Sequence, residues 1–216
     1  GGWTFSYLAM RRLEYVTMPD TPMAGRAWDF GGMTYGVATC SKPAISLATL
    51  ERWVGEAEMT AFLRAYADRY AFAHPNAADL RAVMAESLGV EKADWFFENL
   101  VYGDVTLDAR VERLDAGDVD LVREGGLCVP VPVALMVPRD ERASSGEEIL
   151  GWPCGEDFED EGAALRGVEI DPNQRALLDL NFANNGERRQ VDWRAWLGSV
   201  VRVSRALQGL FRGGGL

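Results

Sequence analysis

The apolar period of this chain changes once, near residue 104, and the change limits what it can fold into. Up to Gly103, apolar residues recur every three or four positions, the spacing that gives a helix one buried face. From Val105 they alternate: Val105, Leu107, Ala109 and Val111 stand among polar neighbours, and Val119 and Leu121 repeat the pattern. A sequence written this way folds as α+β, with helices first and sheet after. We assign residues 1–103 to an all-helical part, 104–182 to a small antiparallel β-sandwich, and 183–216 to a C-terminal helix and tail. At 216 residues, this multi-domain chain can bury one sizeable core or two small ones.

The helical part reads in order. Residues 3–18 form a helix whose apolar face carries Trp3, Tyr7, Leu8, Leu13 and Val16. Pro19 to Gly32 is a proline- and glycine-rich loop bearing Trp28 and Phe30, which either pack on the helices or line a pocket. Ser41 is placed to cap a helix over 43–54, with Pro43 in its first turn, Ile45, Leu47, Leu50 and Val54 as its stripe, and Gly55 as its end. A helix over 57–72 buries Met59, Phe62, Leu63, Tyr66 and Tyr70. Asn76 then caps a helix with Asp79 in its first turn, which runs to Gly89, and a short helix spans 93–101.

Strands are expected at 105–111, 119–123, 127–137, 165–170 and 176–180, giving about five to seven in a sandwich. Pro130 and Pro132 confine the third to an edge or to irregular pairing. Residues 138–163 read as a polar, acidic connection, and Asp171-Pro-Asn-Gln as a turn. Val191 to Phe211 is an amphipathic helix with Trp193 and Trp196 on one face. It is suited to docking on the rest of the chain, or to lying on an anionic membrane surface.

Net charge is −11. Residues 104–182 carry 7 Lys or Arg against 19 Asp or Glu, while residues 183–216 carry 6 against 2. An acidic middle of this kind argues against binding nucleic acid, because phosphate contacts need clustered cations. Cys40, Cys128 and Cys154 are odd in number and lack C-x-x-C spacing. That argues against a disulfide framework while leaving room for one pair outside the cytoplasm. No run of eighteen apolar residues is present. The opening Gly1-Gly2 reads as that of a processed or excised piece. The compartment, cytoplasmic or periplasmic, is not fixed by these features.

His74, before Pro75, is the single histidine. A hydrolytic zinc site usually takes three side-chain ligands, two of them often histidine, so the chain cannot supply H-E-x-x-H. It also lacks a G-x-S-x-G elbow. Capping or packing is the expected role for His74.

Several stretches nevertheless share one resemblance. Tyr35-Gly-Val-Ala-Thr-Cys40-Ser-Lys42-Pro, Phe62 through Tyr70-Ala-Phe-Ala-His74-Pro75, Asp94-Trp-Phe-Phe97 and Tyr102-Gly103 resemble the second half of the catalytic domain of the zinc aminopeptidases. That family includes alanyl aminopeptidases and leukotriene hydrolase. Val168-Glu-Ile-Asp-Pro172, Leu177-Leu-Asp-Leu-Asn181 and Asn184-Asn185 resemble the β-sandwich that follows in bacterial members. The resemblance implies a parent that removes N-terminal residues from peptides by attack of zinc-activated water. It places Gly1 near the family's ligand glutamate, so that zinc belongs to the parent and none is held by this chain alone. It also implies a peptide partner reached through the other half of the catalytic domain.

The family stabilises its oxyanion with a tyrosine two residues before a lysine, and that position here is Cys40. Tyr35 matches a second tyrosine near the site, and Lys42 falls at the substrate-binding lysine. A thiol is a short, weak donor. Either the parent has lost peptidase activity or Tyr35 has taken the donor role. The alternative in another class is a non-catalytic, peptidase-like module for protein interaction.

Overall fold

A computed structural model describes residues 6–115, 118–137, 147–161 and 165–189. The chain is mixed helix and sheet, with helices first and two small antiparallel sheets after them. Residues 3–5 of the helix expected at 3–18, and the whole helix expected at 191–211, lie outside the described residues.

Helix α1 (Tyr7–Thr17) starts at Ser6, whose hydroxyl accepts the Ala9 N–H at 3.1 Å. The loop that follows holds one 3₁₀ turn, Ala27–Asp29. The expected start of the next helix at Ser41 is corrected by the structure. α2 (Gly32–Gly36), a π-turn (Val37–Ser41) and α3 (Lys42–Val54) run on without a break, and Ser41 has helical backbone angles and no capping bond. Pro43 explains the π-turn. Inside a helix its ring would press on the carbonyl four residues back, and it has no N–H to offer. Widening the helix by one residue, so that the Lys42 N–H bonds the Val37 carbonyl, relieves the crowding.

Helices α4 (Glu56–Arg69), α5 (Ala77–Leu88) and α6 (Val90–Phe96) follow, and a second π-turn (Phe97–Val101) prolongs α6. Gly55 and Gly89 end α3 and α5 at φ near +100°, a region open to glycine at little cost. Asn76 caps α5 as expected. Its Oδ1 accepts the Ala78 and Asp79 N–H groups, while Asp79 accepts the Asn76 N–H at 2.8 Å. This reciprocal pairing satisfies donors that a helix start leaves open.

One sheet has the order β1 (Asp108–Leu114), β2 (Asp118–Glu124), β5 (Phe158–Glu161). The other has the order β4 (Glu147–Trp152), β3 (Val131–Met136), β6 (Gly167–Ile170), β7 (Gly186–Arg188). β1 lies against β6 and β7, and its Val111 N–H bonds the Asn184 carbonyl.

Several expectations change here. β4 and β5 fall inside the stretch expected to be a connection, and β7 falls in the segment expected to be helix and tail. β3 is interior, flanked by β4 and β6, despite its prolines. Pro132 is tolerated because its ladder with β6 ends there: Val133 is the last residue paired with β6, and the Pro132 carbonyl takes the Asp171 N–H at 2.8 Å. Residues 176–180 are buried turns with a single bridge between Leu107 and Asp179, not a strand. Cys128 and Cys154 form a disulfide across 26 residues, a single pair of the kind the sequence left room for.

Buried residues of both halves join one contiguous apolar cluster. Tyr15, Ile45, Leu50, Phe62 and Met84 from the helices continue into Leu107, Val119, Val133 and Ile170 from the sheets. Polar bonds cross the same boundary. Trp95 Nε1 donates to the Cys128 carbonyl at 2.7 Å, and Arg12 donates to the Asp179 carbonyl at 2.6 Å while stacking on Phe182.

Candidate functional site at the Val37 to Ser41 turn

The three residues singled out by the resemblance sit on one continuous helix, but not in one environment. Tyr35 is 46% exposed, and its carbonyl accepts the Thr39 hydroxyl at 2.7 Å. Cys40 is a free, exposed thiol 3.6 Å from that same hydroxyl. Lys42 is 0% exposed. Its Nζ donates to the Thr21 carbonyl at 2.9 Å and reaches the Pro19 carbonyl at 3.5 Å. The structure therefore keeps Tyr35 and Cys40 at the surface and turns Lys42 inward as a tether for the preceding loop.

That tether shapes a cavity. Space of about 650 Å³ opens between the loop and α2, with Met18, Asp20, Thr21, Phe30 and Thr34 among its walls. Thr34 directly precedes Tyr35. Phe30 thus takes the pocket-lining role, while Trp28 stays 77% exposed beneath the Arg26 guanidinium, 5.4 Å from its centroid. Asp20 and Thr21 were not singled out from the sequence. Only the proline-rich loop that carries them was a signal.

Behind the turn, α1 supplies a charged support. Ser41 Oγ donates to the Glu14 carboxylate, and Arg11 donates to the same oxygen at 2.8 Å. The Ser41 hydrogen bond is the main reason that the Glu14 carboxyl lies below its ordinary range, with Arg11 adding to it. Burial acts on Lys42 in the opposite sense for a cation. It depresses the ammonium below its ordinary value, against the pull of Asp104 and Asp20.

His74 is exposed in the connection between α4 and α5. Among the described residues, no three His, Cys, Asp or Glu side chains gather into a metal-holding group, and no helix is long and apolar enough to cross a membrane. Hydrolytic zinc sites often use two histidines, and the sequence has one. In comparisons with known proteins, no protein-family model matches the chain and no curated protein is significantly similar to it.

Proposed function

We propose that this chain is the downstream portion of a zinc-aminopeptidase-like protein of bacterial type. Residues 1–103 are its share of the helical catalytic domain, 104–182 its β-sandwich and 183–216 a closing segment. The parent hydrolyses N-terminal peptide bonds, with zinc held by residues outside this chain. Tyr35 is the oxyanion donor or substrate contact, and Lys42 shapes the wall rather than meeting the peptide. What supports the reading is the pairing of motif and surface. Tyr35 and Cys40, the positions carrying the resemblance to the family's site, both face solvent on the helix that borders the cavity of about 650 Å³.

Cys40 favours a second reading, a peptidase-like module that binds partners without cleaving them. Loss of one oxyanion donor costs about 10²–10³ in rate. The test is zinc content and release of an aminoacyl chromophore by the natural full-length protein, beside its Cys40→Tyr and Tyr35→Phe variants. One bound zinc with turnover that falls in Tyr35→Phe supports the peptidase. Zinc with turnover only in Cys40→Tyr marks a disabled enzyme. Neither zinc nor turnover in any form overturns the first reading in favour of the second.

A further inference from the structure

Phe72 stands at the tip of the turn between α4 and α5, and two separate costs meet in it. Its side chain is fully exposed, and its backbone has a φ of +61°, a left-handed conformation that bulky residues rarely adopt. The tip is braced on both sides. The Ala73 N–H bonds the Tyr70 carbonyl at 2.9 Å, and Tyr70 Oη donates at 3.2 Å to Asp79, whose other oxygen accepts the Asn76 N–H. Arg69 donates twice to the Glu86 carboxylate and clamps the two helices together behind the turn. A strained backbone held this firmly points to a role for what it displays. An aromatic ring fixed in its presented position suits an interface anchor, since little freedom is left to lose on binding.

A receptor for such a ring lies on the sheet side of the same molecule. Pro130, Pro132, Ile149, Leu150 and Pro153 line a shallow, mainly apolar cavity of about 340 Å³ beside β3 and β4. A closed cavity of about 150 Å³ already holds benzene, so a phenyl ring has room here. Ile149 is exposed in its wall, although Glu147 and Glu148 precede it in β4. The charges agree as well. Arg175 also lines the cavity, where a guanidinium can lie over an incoming ring. Asp68 lies one turn before Phe72 on α4. Both are exposed, and neither has an ion pair among the described residues.

We propose that the occupant of this cavity is Phe72 of a second copy of the chain, with Asp68 brought beside Arg175. A contact between two different patches of one protein propagates unless it closes. Here two copies exchange the contact reciprocally, each giving its ring and receiving the other's, which makes a two-fold pair. The inference is independent of the peptidase reading, since it uses no residue of that site.

The test is sedimentation velocity of the chain from micromolar to millimolar concentration, beside Phe72→Gly, Ile149→Glu and an equimolar mixture of the two variants. Glycine accepts the φ found at Phe72 without strain, so that variant keeps the turn. Ile149→Glu changes an exposed side chain that already follows two glutamates. The expected result is a concentration-dependent pair in the wild type, with a dissociation constant about tenfold higher or more in each variant alone. The mixture restores part of the association, because the ring of one variant meets the intact cavity of the other. A wild type that stays monomeric throughout overturns the proposal. So does association unchanged in either variant, or a mixture that pairs no better than its two components.

Discussion

Lys42 Nζ lies 2.9 Å from the Thr21 carbonyl, so a lysine with no exposed surface fastens the loop after α1 onto α3. Lys42→Met keeps the length of the stem and removes the donor. It leaves the Thr21 and Pro19 carbonyls short of a partner, a loss of about 1–3 kcal/mol. The pH dependence gives a sharper check. The folded protein holds this ammonium below its ordinary 10.5, so between the folded value and 10.5 the unfolded chain binds more protons. Stability from this group therefore rises with pH across that window. Urea midpoints taken from pH 8 upward should show the wild type gaining on Lys42→Met as alkalinity increases. Parallel curves would refute the buried, depressed ammonium.

The Cys128–Cys154 bond closes a loop of 26 residues. Cross-linking a loop of that size removes unfolded-state entropy worth about 3–4 kcal/mol. Cys128→Ser and Cys154→Ser should each lower stability by that order, as should reduction of the wild type. Under denaturing conditions the oxidised protein should titrate one thiol, Cys40, and the reduced protein three. Three thiols before reduction would show that the bond is not formed.

Tyr15 packs fully buried in the helical core, and its hydroxyl meets no partner among the described residues. Burial, reinforced by Asp179 and Asp20, pushes its titration upward. A buried donor without an acceptor is a cost that Phe does not carry. Tyr15→Phe should raise the unfolding free energy by about 1 kcal/mol. A loss of similar size in chemical denaturation would mean that the hydroxyl is satisfied, for instance by an ordered water.

Features governed by near neighbours in sequence were legible. Asn76 and Asp79 announce α5 because each bonds a backbone group within three residues, and Gly55 and Gly89 stop helices through their own backbone freedom. β2 alternates because one of its faces is buried, and β1 alternates up to Val111, where its register with β2 shifts. Features that depend on distant partners were not. Ser41 has every local mark of a cap, but the helix had already begun at Gly32, and its hydroxyl serves Glu14 of another helix instead. Glu147-Glu-Ile-Leu looks like solvated chain, yet it pairs with β3 because Leu135 and Met136 stand opposite it. The three cysteines carry no spacing signal, since Cys128 and Cys154 lie 26 positions apart on either side of the paired strands β3 and β4. At the candidate site, Tyr35, Cys40 and Lys42 were named together from sequence. Which of them turns inward was settled by the loop that Lys42 holds.

The sulfur bridge also changes how the molecule can be taken apart. Cys128 and Cys154 have α-carbons 5.8 Å apart, and everything between them, including β3 and β4, hangs as a closed ring. One broken peptide bond anywhere in that ring leaves a single covalent body of unchanged electrophoretic size until a reductant is added. Tension applied at the chain ends runs through sulfur and bypasses the ring, so about 90 Å of contour, at ~3.5 Å per residue, stays out of reach of mechanical unfolding.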